Sequence, residues 1–560
     1  MKRILFHSNS AKAFTGFGKN AKNILRYLHK TNKYEIIEFA NGMQWGNQSL
    51  SLRPWKAQGS LPNNPALVRE LQSDQQKSRI ASYGGYMIDQ AIKEYKPDIY
   101  IGCEDIWAFA DYWKKPWWDK INNMIWTTLD SQPILPQALE AAPKTKNFYV
   151  WASFAEKDMK QLDHSHVKTL HGTVNTEDFY KISDLDKRKI RSKFNLSDEF
   201  IIGFVFRNQL RKSVPNLLEG FKIFKKECPK AKLLLHTHWS EGWDIPRLLK
   251  EKNIDNNDIL TTYFCSACQN YAIAPFCGQE QTCPFCGSEK TFNTTNTRHG
   301  VDESQLNEIY NIMDVYCHPF TSGGMEIPIF EAKMTELITL VTNYSCGEDS
   351  STPECGSFPL DWSEYREPGT QFIKASTYPS SIAKQLKKVY NMKLEKKLQM
   401  GKKARDWTIE NYSTESVGKK LEKIIDEMPA IEYDFDWGKE EKGIELEDLL
   451  DEGKRIAIVM PQSAEDLLAI NSLIDSLQDL YEDHDIYVFT MPNFFPYIED
   501  HPKVHKVLPY SESIDNPQLL EGVGNHKGFF ELAFFPFYHT QKFQNYHHNG
   551  IDKTHYKLYE

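Results

Sequence analysis

The chain has 560 residues, 40% hydrophobic and 26% charged, an ordinary globular composition with material for roughly three to four domains. A net charge of −9 and a pI near 6.1 exclude a global basic field that would draw it to nucleic acid or an anionic membrane. No apolar run approaches the ~20 residues that span a bilayer, and ten cysteines, four of them in two Cys-x-x-Cys pairs, suit a reducing, cytoplasmic setting with a metal site better than a disulfide framework.

The opening Met1–His7 reads as a first strand, too short for a targeting segment. Strand-like runs at Ile4–Phe6, Ile36–Phe39, Ile99–Gly102, Asn123–Thr127 and Phe148–Trp151 alternate with helical stretches. One of these runs from Lys19 to about His29 behind the turn Thr15-Gly-Phe-Gly18, and another carries Ile88, Ile92 and Tyr95. A second series begins at Ile201–Phe206 and continues with a helix near Val214–Glu227 and a strand at Lys232–His236. It then takes a helix over Leu306–Met313, a strand at Val315–His318, a helix opening around Ile329–Met334, a buried strand over Leu337–Val341 and a helical tail from Ser380 to Ile425. Such βα alternation predicts parallel sheets wound with helices, here two facing Rossmann-like domains at 1–178 and 179–428. Residues 429–453 read as an acidic linker, with ten acidic residues against two lysines over 431–453. Strands at Arg455–Met460 and Ile486–Thr490 predict a third, accessory α/β domain over 454–560, whose closing aromatics and histidines (Phe529 to His548) either bind a glycan or pack.

The strand Gly203–Phe206 ends on Arg207, with Arg211 and Lys212 in the same loop. Ligands of α/β sheets bind at the carboxyl ends of strands, and an Arg fork with a Lys point charge suits a diphosphate; a solvated basic loop is the other reading. Downstream, Gly323 and Gly324 precede a helix, where backbone N–H groups approach an anion without a Cβ in the way. Glu331, one turn further in, is placed to accept from sugar hydroxyls. In the first half, Asp130 closes the segment Trp126–Asp130 and reads either as an acceptor-side base or as a helix N-cap. Glu104 and Asp105 carry a similar ambiguity. His236, His238 and Trp239 follow a strand and either line a nucleobase or pack.

These segments resemble family 4 of the glycosyltransferases. Residues 204–224, FVFRNQLRKSVPNLLEGFKIF, are similar to the family's G-x-x-x-R-x-x-x-x-K-G-x-x-x-L-L-x-A-F segment. The stretch from Gly323 to Ala332 is similar to E-G-(F/M)-G-(L/I)-P-(I/L)-x-E-A. The resemblance covers about residues 1–425 and implies a GT-B fold with a nucleotide-sugar donor in the second half. It assigns Arg207 and Lys212 to the donor diphosphate, Gly16 and Gly18 to the loop that approaches it, and Glu331 to the nucleotide ribose. Gly324, Met325 and Ile327 complete the donor loop. The motif's first Glu falls on Gly323, while Glu326 stands where the motif has Gly; Glu326 either supplies the missing sugar contact or is a helix-start carboxylate. Arg207, Lys212, Glu331 and Asp130 form the expected catalytic set, in a reaction that retains anomeric configuration through positioning and stabilisation of the leaving diphosphate.

Cys265-Ser-Ala-Cys268 and Cys283-Pro-Phe-Cys286 are separated by fourteen residues, zinc-ribbon spacing for a closed structural zinc site inserted at about 262–292; Cys277 is a bystander. The insertion braces the domain, or contacts acceptor, nucleic acid or another partner. Residues from 454 onward resemble the N-terminal half of heptosyltransferase-like enzymes, with Ala464-Glu465-Asp466 where Gly-Asp is usual. The leading expectation is a retaining glycosyltransferase acting on a glycan or other hydroxyl acceptor. Its competitors are a viral or phage-type enzyme glycosylating a hydroxymethylated DNA base, and an inactive scaffold binding sugar or nucleic acid.

Overall fold

The computed structural model describes residues 1–433 apart from 65–66, 70, 72–73, 110 and 297–298, and residues 453–536 apart from 462–463, 511–521 and 524–525. Most of the acidic linker (434–452) and the closing residues from 537 onward therefore lie outside the described residues. The chain divides into two compact units, Met1–Phe435 and Asp436–Glu560.

The first unit is built on two sheets. One contains β1 (Lys2–Asn9), β2 (Tyr34–Gln44), β3 (Lys56–Leu61), β4 (Ile99–Gly102), β5 (Asn122–Thr127), β6 (Asn147–Val150) and β7 (Lys168–Thr169), in the order β3-β2-β1-β4-β5-β6-β7. Every pairing is parallel. Central strands of such a sheet are covered on both faces, which is why Ile4, Leu5 and Phe6 run consecutively and are all fully buried. The helix Gly16–Thr31 starts earlier than the sequence suggests, because Thr15 caps it, accepting from the Gly18 N–H at 3.1 Å. A Cβ on Gly18 would lie 2.4 Å from the Ala13 carbonyl oxygen, so only glycine lets this loop close.

The second sheet contains β8 (Phe200–Val205), β9 (Ala231–His236), β10 (Ile259–Cys265), β11 (Tyr271–Pro275), β12 (Glu280–Gln281), β13 (Phe292–Thr294), β14 (Val315–His318), β15 (Thr339–Thr342) and β16 (Ser357–Leu360). Its parallel part runs β10-β9-β8-β14-β15-β16, the doubly wound order of the first sheet repeated. β10 overshoots its neighbour β9; its far end pairs antiparallel with β13, and β11 pairs antiparallel along most of its length, so the cysteine-bearing insertion grows directly out of a sheet strand. The antiparallel hairpin of Trp362–Arg366 with Ile373–Thr377 has little apolar alternation in the sequence and is a feature only the structure reveals. The expected helical tail is three helices, Pro379–Tyr390, Leu394–Tyr412 and Thr414–Glu427. The last crosses back onto the first half: Val417, Leu421 and Ile425 join its core, and Tyr27 donates to Glu422 at 2.8 Å.

The second unit carries a parallel four-stranded sheet. Lys454–Val459 is flanked by His484–Thr490 and Leu532–Phe534, and Val504–Pro509 takes the outer edge beside His484–Thr490. The helix Ala464–Leu480 buries Leu467, Ile470 and Ile474 against it.

Candidate functional site

In the first unit the carboxyl ends of both sheets open onto one cleft of about 670 Å³, lined from the first half by Gly16, Lys19, Asp105 and Asp130 and from the second by the loop after β8 and the start of the Ile327–Met334 helix. The loop after β8 delivers two kinds of cation. Arg207 is 55% exposed and stands in the cleft with its Nε 3.7 Å from a Glu241 carboxylate oxygen. Lys212 is buried and, with Arg211, grips the carboxylate of Glu326. His318, on the last residue of β14, hydrogen-bonds the same carboxylate at 3.0 Å and is itself held by Tyr316 at 2.9 Å.

Burial opposes the charge on Glu326, but Arg211 and Lys212 outweigh it and hold its carboxyl well below the usual range. Lys212 moves the other way: burial, reinforced by the Arg211 charge and only partly countered by Glu326, pushes it down to about 8. Glu326 is the residue before the helix Ile327–Met334 and so stands at the helix start, but its side chain makes no capping bond and is held by Arg211, Lys212 and His318 instead.

Gly323 does not offer its N–H to a ligand, as the sequence suggested, because that group donates to the Ser345 hydroxyl at 3.1 Å. A Cβ on Gly323 would lie 2.7 Å from a Glu326 carboxylate oxygen. On Gly324 it would meet the Cβ of Thr128 at 2.3 Å and Asp130 Oδ1 at 2.8 Å. Gly324 thus marks the contact between the halves. A Cβ on Gly16 would lie 3.4 Å from Ile327 Cδ1, which puts the first half's glycine loop at the same helix start. Met325 packs against the first half's core and against a small cluster of Val174, Phe330 and Tyr412. Glu331 is 2% exposed, with one oxygen accepting from Lys19 at 2.7 Å and the other from the Tyr310 hydroxyl at 2.8 Å. Lys19 crosses from the first half. Sequence reasoning missed it because no motif marks it, although its place in the first turn behind the glycine loop aims it at the cleft.

Asp130 lies exposed in the loop after β5; the following helix begins at Pro136 behind Leu135, which removes the N-cap reading. Beside it, Asp105 accepts from the Thr128 hydroxyl, and burial, with the Asp130 charge, lifts its carboxyl to about 6. Glu104 is buried behind this pair and is lifted by burial, then by Asp105, to about 8. His236 and His238 line the cleft, and burial pushes His236 down to about 4, leaving it neutral. Trp239 does not line it. Its indole is fully buried, donates to Thr261 at 2.8 Å and stacks on Phe276.

No protein-family pattern and no curated protein matches this sequence. Solved structures do match. Sucrose-phosphate synthase from Thermosynechococcus elongatus superposes with a TM-score of 0.52 at 12% identity, over 76% of this chain and 98% of that one. HepE from Anabaena, in complex with UDP and glucose, gives 0.51 at 11% identity over 76% and 100%. A glycosyltransferase from Rickettsia africae gives 0.51 at 15% identity over 76% and 98%. The fold is GT-B. With it come two Rossmann-like halves and a cleft between them at the carboxyl ends of both sheets. No described helix is long and apolar enough to cross a membrane.

The cysteine insertion sits at one end of the GT-B cleft. The sulfurs of Cys265, Cys268, Cys283 and Cys286 all lie within 4.8 Å of one another. Cys265–Cys286 measures 3.8 Å and Cys268–Cys283 3.7 Å. A tetrahedron with metal–sulfur bonds of about 2.3 Å has edges of about 3.8 Å, so the four thiols fit a metal without rearrangement. Cys277 is exposed and stands off the cluster, 3.5 Å from the Tyr263 hydroxyl.

Proposed function

We propose that the chain is a retaining glycosyltransferase that moves a sugar from a nucleoside-diphosphate donor to a hydroxyl acceptor. One juxtaposition carries the reading: exposed Arg207, buried Lys212 and the start of the Ile327–Met334 helix border one GT-B cleft, with the doubly held Glu331 beside them. Two structural relatives support the donor class, since HepE is described in complex with UDP-glucose and the Rickettsia protein is a glycosyltransferase. In this reading Arg207, the helix start and Lys212 meet the diphosphate, where fixed positive charge stabilises the departing group. Gly16, Gly18 and Gly324 let the two backbones close on it, and Met325 and Ile327 hold the loop in place. Glu331 orients the ribose, with Lys19 and Tyr310 fixing its two oxygens. Glu326 faces the donor sugar. Asp130, in front of the lifted Asp105, receives or orients the acceptor hydroxyl. The four cysteines hold one structural zinc ion.

Glu326 favours a second reading, a non-catalytic sugar- or nucleotide-binding scaffold, because it already neutralises Lys212 and Arg211. A transfer and hydrolysis assay over a panel of nucleoside-diphosphate sugars separates the two. Release of nucleoside diphosphate by the native chain, lost in Arg207→Ala, is the expected result. Binding of a nucleoside diphosphate without release of sugar from any donor supports the scaffold instead.

A further inference from the structure

The cysteine insertion has two faces, and only one is occupied by its own packing. On the inside, Cys265 and Cys283 pack with Tyr263 and Phe292, so the sulfur cluster and the return strand β13 are a single small core. On the outside, the same segment borders the cleft. Ser266 and Gln269, within and just after the first Cys-x-x-Cys turn, line it together with Thr295, the residue that follows β13.

Two hydroxyls on this wall have no partner among the described residues. The Oγ1 atoms of Thr237 and Thr295 are buried, in residues 2% and 3% exposed, and neither makes a hydrogen bond with any of the described residues. Both residues line the cleft, Thr237 beyond the end of β9 and Thr295 beyond the end of β13. Buried hydroxyls left unpaired cost free energy, and a polar ligand in the cleft that both residues line would satisfy them. Next to them the wall offers Phe264, which packs edge-on to His299, a surface suited to a flat heteroaromatic ring. The turn is also bolted to the donor machinery. Gln305 donates to the Gln269 carbonyl at 2.8 Å, and Gln305 caps the helix Glu303–Asn311, which carries Tyr310 and so holds Glu331.

We propose that the cysteine insertion is the nucleoside-binding wall of the donor cleft: Thr237 and Thr295 hydrogen-bond the base or ribose, the Cys265–Gln269 turn closes the end of the cleft, and the bound metal sets donor affinity by fixing β13. This rests on the donor reading given above and assigns the insertion a recognition role in place of bracing alone.

Calorimetric titration of UDP, ADP, GDP and inorganic diphosphate into the native chain, Thr295→Val and Thr237→Val/Thr295→Val tests it, alongside melting temperatures. Threonine to valine keeps shape and removes an unpaired hydroxyl. The expected result is a loss of about tenfold in affinity for the preferred nucleoside diphosphate, the size of one or two neutral hydrogen bonds. Diphosphate affinity stays unchanged and the melting temperature is equal or higher. A merely structural role would lower the melting temperature and leave affinity alone. Stripping the metal with a chelator should reproduce the affinity loss, again for nucleoside diphosphates and not for diphosphate. Unchanged nucleoside diphosphate affinity in the double variant, or an equal loss for diphosphate, overturns the proposal. If the native chain binds diphosphate but no nucleoside diphosphate, the wall assignment falls while the diphosphate clamp stands; if it binds neither, the donor reading falls and takes this one with it.

Discussion

Arg207 and Lys212 come from one loop and carry the same expected role, but their surroundings make them different experiments. Arg207 is exposed and loosely paired, so Arg207→Ala should lower nucleoside diphosphate affinity by about ten- to hundredfold, the value of a charge-assisted hydrogen bond, with little change in melting temperature. Lys212 is buried against Glu326, and Lys212→Met strands that carboxylate with less compensation, so calorimetry should show a stability loss of up to about 3–5 kcal/mol along with weaker binding. Glu104 gives a pH signature. Burial lifts its carboxyl from an ordinary 4.5 to about 8, so between those values the folded chain holds a proton that the unfolded chain releases, and stability falls as pH rises through the window. Glu104→Gln keeps the hydrogen bond from Asn41 and removes the titration. Its melting temperature should exceed that of the native chain at pH 8 and converge with it near pH 5; a constant difference would contradict the assignment. The sequence marks Glu104 without deciding its role and does not mark Lys19 at all, since burial and a partner 312 positions away decide what each does.

The elements themselves were largely legible. Runs such as Ile4–Phe6 and Leu233–Leu235 are apolar on both faces of a parallel sheet, and the structure places both as central strands. Helix starts were read less well. The helix at Gly16 and that at Ile327 both begin before their expected first residues, because a cap and an N-terminal proline admit residues without helical periodicity. The overshoot of β10 was not legible: nothing in Ile259–Cys265 tells that one strand takes a parallel neighbour near its start and two antiparallel strands of an insertion besides. Gly324 belongs to this scale too, since it is where the loop before a helix touches the other half. Gly324→Ala sets a methyl against Thr128 and should cost about 1–3 kcal/mol and open the cleft, read as a lower melting temperature with a raised KM for donor.

At the scale of the first unit, several ties join the GT-B halves, and three of them differ in kind and place. The Thr414–Glu427 helix packs into the first half's core, Lys374 bridges Ser131 and Ser322 at 2.8 and 2.7 Å, and Lys19 reaches Glu331. The first two lie outside the lining of the cleft, while the third sits within it. The sequence announced two halves through repeated βα order, yet it held no sign of these ties. Each depends on residues whose partners are remote in the chain and ordinary in type.

The geometry at Gly323 and Glu326 has an evolutionary consequence. The Glu326 carboxylate fills the space beside Lys212, and a side chain at 323 would start 2.7 Å from it, so a carboxylate at one position excludes one at the other. Gly323→Glu alone puts two like charges and too many atoms into one space, and Glu326→Gly alone leaves Arg211 and Lys212 facing each other without a counter-charge. Each single step is a descent; the pair Gly323→Glu/Glu326→Gly should recover most of the melting temperature and affinity lost by either. A lineage carrying the charge at one position is therefore separated from a lineage carrying it at the other by a barrier of sign epistasis, and chains with similar clefts can stay fixed on opposite sides of it.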